Sequence, residues 1–154
     1  HRDLHSFPTR RSSDLVLALV LGWPQDTSEG TLEFAKDMWE PDEPALWQKN
    51  FSDEILHWVE VGQPDDKRLM KASGRAHRVT LWAFQSSTPI WWEGIANKLT
   101  RAHNLTVWQV PTEQSQALAT LARRSMALQV TVQDGTAWVN DGEQTIEVTP
   151  IKLM

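Results

Sequence analysis

Apolar and polar residues alternate most clearly in two neighbouring stretches, and each predicts a β-strand: Ala45–Lys49 and Glu54–Val61. In the second, Ile55, His57, Val59 and Val61 alternate with Leu56, Trp58 and Glu60. Both faces therefore carry apolar side chains, as in an interior strand buried on each side. Gly62-Gln63-Pro64-Asp65 breaks this strand. Pro64 or Asp65 then opens a helix over about residues 65–74, ended by Gly74. Asp65 and Asp66 fall at its positive end, and Lys67, Arg68 and Lys71 lie further along. Glu60 would thus sit at the carboxyl end of a strand beside a helix N-terminus, where open α/β sheets take their ligands.

The rest of the chain continues this alternation of elements. Val16–Trp23 reads as the tail of a helix ended by Gly22 and Pro24, and Gln25–Gly30 as a polar loop. Thr31–Met38 reads as a short helix or an irregular connection, and Asn50–Asp53 as the turn joining the two strands. Arg78–Phe84 is a buried strand. Thr88 is placed as N-cap and Pro89 as first residue of a helix running from Ile90 to Ala102, with Ile95 and Leu99 inward and Trp91 or Trp92 beside them. Leu105–Val110 is a further apolar strand, and Thr112 caps a helix whose Leu118, Leu121 and Ala122 share one face. Strand–helix–strand–helix order predicts parallel crossovers. Asp134-Gly135 and Asp141-Gly142 then join the strands Met126–Gln133, Thr136–Asn140 and Gln144–Val148 into two hairpins. The fold class is α/β, a mixed sheet flanked by helices with a C-terminal antiparallel meander.

A length of 154 residues suits one domain, and a mean hydropathy of −0.44 reads as soluble. The longest apolar run, Leu15–Leu21, is far short of the roughly 20 residues needed to cross a bilayer, so no membrane segment is expected. The chain has no cysteine, which excludes disulfides and thiolate metal sites. Nine tryptophans without a tyrosine are unusual, and in strand-like contexts tryptophan is a core residue. His57, His77 and His103 lack the short spacing of a zinc site. Residues 5–15, HSFPTRRSSDL, resemble the translation of a sequencing adapter, so residues 1–15 are read as non-native. Setting them aside removes the signal-peptide reading of a basic start before an apolar run, and a cytoplasmic location is expected. It also removes three arginines and two aspartates, which moves the net charge from −5 to −6. That balance gives no general support for duplex binding, which relies on basic contacts to phosphate.

DEPALWQK, WVEVGQPDDKR and KASGRA, followed by NLTVWQVP, QALATLARRSMALQ and QDG-x-x-W-V-x-DGE, resemble the YaeQ family over roughly residues 16–154. That family is a variant of the PD-(D/E)XK nuclease-like fold. The resemblance implies a single domain over 16–154 that lacks its N-terminal strands. It also implies a phosphodiesterase site in which two carboxylates hold Mg²⁺, which polarises phosphate and lowers the pKa of attacking water. Carried onto this chain, the metal ligands are Asp42, Glu43, Glu60 and Gln63, and the catalytic residues are Glu60 with Lys67 and Lys71, which would steady the phosphate. Two departures count against catalysis. Pro44-Ala45 stands where members often read Pro-Asp, and Gly62 stands where a lysine is usual.

Each candidate also has a plainer reading. Asp42, Glu43 and Asp53 suit solvated turns, and Asp65 suits a helix cap. Lys67, Arg68, Lys71, Arg75 and Arg78 suit either a phosphate grip on nucleic acid or a solvated face with i,i+4 pairing. Glu60 is different, because a lone carboxylate in an apolar strand is costly without a partner. Two functions follow: a Mg²⁺-dependent nuclease-like phosphodiesterase, or a binding or regulatory protein on a degenerate nuclease scaffold.

Overall fold

The computed structural model describes residues 3–4, 30–35, 43–124 and 127–154. Its elements in chain order are β1 (Asp3–Leu4), β2 (Leu32–Phe34), β3 (Leu46–Lys49), β4 (Ile55–Val61) and α1 (Asp66–Arg75). Then come β5 (Arg78–Ala83), α2 (Thr88–Ile95) with a 3-10 turn over Ala96–Lys98, β6 (Leu105–Gln109) and α3 (Thr112–Arg124). The chain finishes with β7 (Leu128–Gln133), β8 (Thr136–Asn140), β9 (Thr145–Val148) and β10 (Ile151–Lys152).

Six strands form the main sheet in the order β10-β6-β5-β4-β3-β2, and β1-β7-β8-β9 form a second, antiparallel sheet. The central β4, β5 and β6 are parallel, and the outer pairings are antiparallel. The period of two along each central strand divides the core between the faces of the main sheet. Trp58, Leu81 and Val107 join Leu69 and Ala72 of α1, and Leu99 and Ala102 beyond α2. Val59, Trp82 and Val110 join Leu118 and Leu121 of α3 and the inward residues Val130, Val139 and Val148 of the second sheet. The main sheet is therefore covered by α1 and α2 on one side, and by α3 and the second sheet on the other.

Three turns are fixed by their chemistry. Asn50 accepts from the N–H groups of Ser52 and Glu54 through Oδ1, while Asp53 takes φ 65°. Asp134 and Gly135 both have positive φ, 53° and 79°, as a two-residue type I′ hairpin requires. Asp141 accepts from the N–H groups of Glu143 and Gln144, closing the β8–β9 loop.

Several expectations are corrected. Residues 32–34 form a strand, not a helix or irregular connection: pairing with β3 buries Leu32 and fills the edge that β3 would otherwise leave open. Thr88 does not cap α2. Its hydroxyl donates to the Gln85 carbonyl at 2.6 Å, and Ser87 takes the N-cap position. The helix ends at Ile95, not Ala102. The tighter turn that follows has N–H groups of Leu99 and Ala102 donating to Ala96 and Leu99, and a three-residue repeat brings both Leu99 and Ala102 to 0% exposure. The last helix begins with Thr112 inside it, and Pro111 offers its carbonyl to Ser115. Strand β10 had no signal in the sequence. The helix tail at 16–23, most of the loop at 25–30, residues 36–38, Asp42 and the side chain of Ala122 lie outside the described residues. Among the described residues, no helix is long and apolar enough to cross a membrane.

Candidate functional site

The carboxyl end of β4 gathers the elements that place Glu60. The N–H of Gly62 donates to the Trp82 carbonyl, which carries the parallel ladder one residue past the strand. Gly62 then turns the chain with φ 116°, a value that suits glycine and few other residues. Asp65 caps α1 by accepting from the N–H of Arg68 at 2.8 Å. This cap sets Arg68 in the first turn of α1, directly above the end of β4.

Glu60 shares its face of β4 with Trp58, two residues earlier, and is 5% exposed. Its Oε1 accepts from Trp58 Nε1 at 2.8 Å, from Arg68 Nε at 3.0 Å and from Arg68 Nη2 at 2.9 Å. Arg68 Nη2 also donates to the backbone carbonyl of Glu43 at 2.6 Å. One guanidinium therefore ties β4, α1 and the approach to β3 together. The partner that a buried carboxylate demands is an arginine eight residues on, across a strand–turn–helix connection. The sequence contained that signal, since Arg68 falls in the first turn of a helix that starts beside Glu60.

The other candidates lie apart from this pair. Gln63 donates through Nε2 to Ser87 Oγ at 2.9 Å and to Thr88 Oγ1 at 3.4 Å, which joins the β4–α1 and β5–α2 loops. Trp91 adds a second tie by donating from Nε1 to the Pro64 carbonyl at 3.0 Å. Lys67 and Lys71 are exposed on α1. The basic set is split: Arg68 turns inward, Arg75 lies over the Trp58 ring at 5.1 Å, and Arg78 sits at the amino-terminal end of β5. Among the described residues no group of three or more His, Asp or Glu side chains is placed to hold a metal ion.

Arg78 serves a buried histidine on the opposite face of the sheet. Its Nη2 donates to His57 Nδ1 at 3.2 Å, and His57 Nε2 lies 2.8 Å from Thr80 Oγ1. A guanidinium has no lone pair to offer, so Nδ1 must be the acceptor and the proton sits on Nε2, which donates to Thr80. Burial, with the Arg78 charge adding to it, pushes the His57 pKa down to about 4. The imidazole is a neutral structural group.

The profile of the YaeQ protein family matches residues 11–150. The chain belongs to the YaeQ family. That match begins inside the 1–15 segment read as adapter-like. Two relatives carrying the name "Uncharacterized protein YaeQ", from Escherichia coli (strain K12) and Salmonella typhi, are each 34% identical over 142 residues, which is 92% of this chain and 77% of theirs. A YaeQ crystal structure from Xanthomonas axonopodis pv. citri superposes with a TM-score of 0.83 at 28% identity, covering 98% of this chain and 85% of that one. A second, from Pseudomonas syringae, gives 0.81 at 29% identity, covering 98% and 83%. The mixed sheet, its flanking helices and the antiparallel meander are therefore the architecture of the YaeQ family.

Proposed function

We propose that this YaeQ-family chain is a non-catalytic binding protein that keeps a nuclease-like scaffold and offers the exposed cations of α1 to a polyanionic ligand. The observation that carries this reading is the Arg68 guanidinium on Glu60. Magnesium demands near-octahedral oxygen ligation at about 2.0–2.1 Å. Here Glu60 Oε1 already accepts from three N–H donors, and a fixed positive charge stands within 3.0 Å of it. Glu43 meets the same guanidinium through its backbone carbonyl. A guanidinium held this close to Glu60 competes with a magnesium ion for the same oxygen, which supports a reading without hydrolysis. The absent lysine at position 62 and the absent Pro-Asp agree with that reading.

Nucleic acid is the ligand class that the scaffold resemblance implies. Lys67 and Lys71 are exposed one helical turn apart on α1, with Arg75 a further turn along. With so few phosphate contacts on an acidic chain, binding should be weak and steeply salt-dependent. The test is fluorescence anisotropy with a labelled single-stranded oligonucleotide at low salt, run with and without EDTA, beside a calorimetric Mn²⁺ titration. The expected result is binding that EDTA does not change and that falls at least tenfold in a Lys67→Glu/Lys71→Glu variant, with no cleavage. Saturable Mn²⁺ binding and cleavage, both lost in Glu60→Gln, would overturn this reading in favour of a metal-dependent phosphodiesterase.

A further inference from the structure

The outward face of the second sheet forms a concavity of about 490 Å³ lined by Gln129, Thr131, Gln133, Trp138, Asn140 and Thr145. Strand register builds it row by row, with Gln129 opposite Asn140 and Asn140 opposite Thr145, then Thr131 opposite Trp138. Side chains of the same strands that point the other way, Leu128, Val130, Ala137 and Val139, are buried in the core, so the register that presents the outward set is fixed.

We infer that this concavity is a binding site for a neutral oligosaccharide, with Trp138 as the platform on which one sugar ring lies. The lining contains an aromatic ring, three amides and two hydroxyls, and no charged side chain. Asn140 is fixed in place by donating from Nδ2 to Thr145 Oγ1 at 2.6 Å and accepting from the N–H of Gly142. Among the described residues, the Gln129, Thr131 and Gln133 side chains make no hydrogen bond to protein, which leaves both amide groups and the Thr131 hydroxyl to a ligand. A sugar ring matches that supply: its hydroxyls donate and accept alternately around an edge, while its C–H face packs on an indole. Other ligand classes fit less well. Nucleic acid needs cations to meet its phosphates, and none lines the concavity. A protein partner needs several apolar anchors, and Trp138 is the single one here. Glu147 lies opposite Trp138 at the exposed rim and adds a reason to exclude anions.

The test uses the nine tryptophans of the full chain, each with one indole N–H signal in a ¹H–¹⁵N spectrum. The signal missing in Trp138→Phe identifies Trp138. Maltohexaose, cellohexaose and chitohexaose are titrated separately, beside a heparin hexasaccharide and oligo-dT. The expected result is a saturable shift of the Trp138 signal with at least one neutral sugar. Binding should weaken at least tenfold in Trp138→Ala and again in Gln133→Ala, which removes an exposed amide and leaves the core untouched. A Trp138 signal unmoved by all three neutral sugars overturns the proposal. So does a shift produced only by the anionic probes, or one that follows protein concentration alone, which would mark a contact between two copies of the chain.

Discussion

Arg68 meets Glu60 with both Nε and Nη2, and its backbone N–H is taken by Asp65. Removing the guanidinium would leave a 7% exposed carboxylate with Trp58 as its remaining donor. Breaking a fully buried pair costs about 3–5 kcal/mol, and the 29% exposure of the Arg68 side chain lowers that to about 2–4 kcal/mol for Arg68→Gln. Glu60→Gln should cost about 1–2 kcal/mol, since it leaves the arginine part-solvated and still bonded to the Glu43 carbonyl. Urea denaturation of both single variants and the double variant should show that the double costs less than the two singles together. Additive costs would mean that the pair is not coupled. His57 adds a dependence on pH. Its folded pKa of about 4 lies below the ordinary histidine value, so the fold favours the neutral ring. The stabilisation is complete above about pH 6.5 and is lost as pH falls towards 4, by about 3 kcal/mol in all. Denaturation midpoints taken between pH 7 and 4 should fall more steeply for the wild-type chain than for His57→Gln; parallel curves would exclude the imidazole as the cause.

Elements are held to one another by backbone geometry that side-chain patterns report unevenly. β2 joins β3 through Gly30, whose carbonyl accepts from Gln48 Nε2 at 3.1 Å. Gly30 has φ 102°, and a Cβ there would lie 2.4 Å from the Lys49 carbonyl oxygen. Gly135 in the β7–β8 turn also has positive φ, 79°, but a Cβ there would meet nothing within 4 Å. Gly30→Ala should therefore cost about 3 kcal/mol, from strain and a backbone clash together, and Gly135→Ala about 1 kcal/mol from strain alone. Thermal melts of the two variants rank the effects, and equal shifts would mean that the β2 contact adds nothing. The two glycines also show how much was legible. Asp134-Gly135 announces its turn locally, because both residues tolerate positive φ. Gly30 stands in a polar run whose role appears only when Lys49 arrives beside it, so β2 read as a helix or a loose connection. The early end of α2 was illegible for a similar reason, although its start at Pro89 was expected: the tightening after Ile95 is set by where Leu99 and Ala102 must bury.

At the scale of the molecule, the architecture was legible because three parallel strands carry continuous apolar runs and three helices follow them in strict alternation. Strand β4 fell where its pattern on both faces placed it, between β3 and β5. The site was legible only in part. The sequence marks Glu60 as a buried carboxylate in need of a partner, and spacing alone did not single out Arg68 for that place. Arg68, Lys67 and Lys71 stand in one short helix, and the rotation of that helix about its axis separates them, turning the first inward and leaving the other two in solvent. The concavity around Trp138 was illegible for a different reason. An alternating polar face on an antiparallel strand looks the same whether or not it borders a recess, and which residues meet across the strands is set by a register that one strand's pattern does not carry.

Trp82 and Trp108 stand side by side on adjacent parallel strands, their rings 5.7 Å apart and 16° from parallel, and the Trp82 indole N–H has no partner among the described residues. Two indoles stacked so closely and so nearly parallel share their electronic excitation. With the Trp47–Trp58 and Trp91–Trp92 contacts, the pair should therefore contribute to a coupled band in the ultraviolet circular dichroism of the folded chain, one that isolated tryptophans do not give. Because the stack spans β5 and β6 in the main sheet, its share of that band fades when those two strands part, and Trp82→Phe should remove that share from the folded spectrum. The molecule thus carries an optical gauge of its own core, readable without any label.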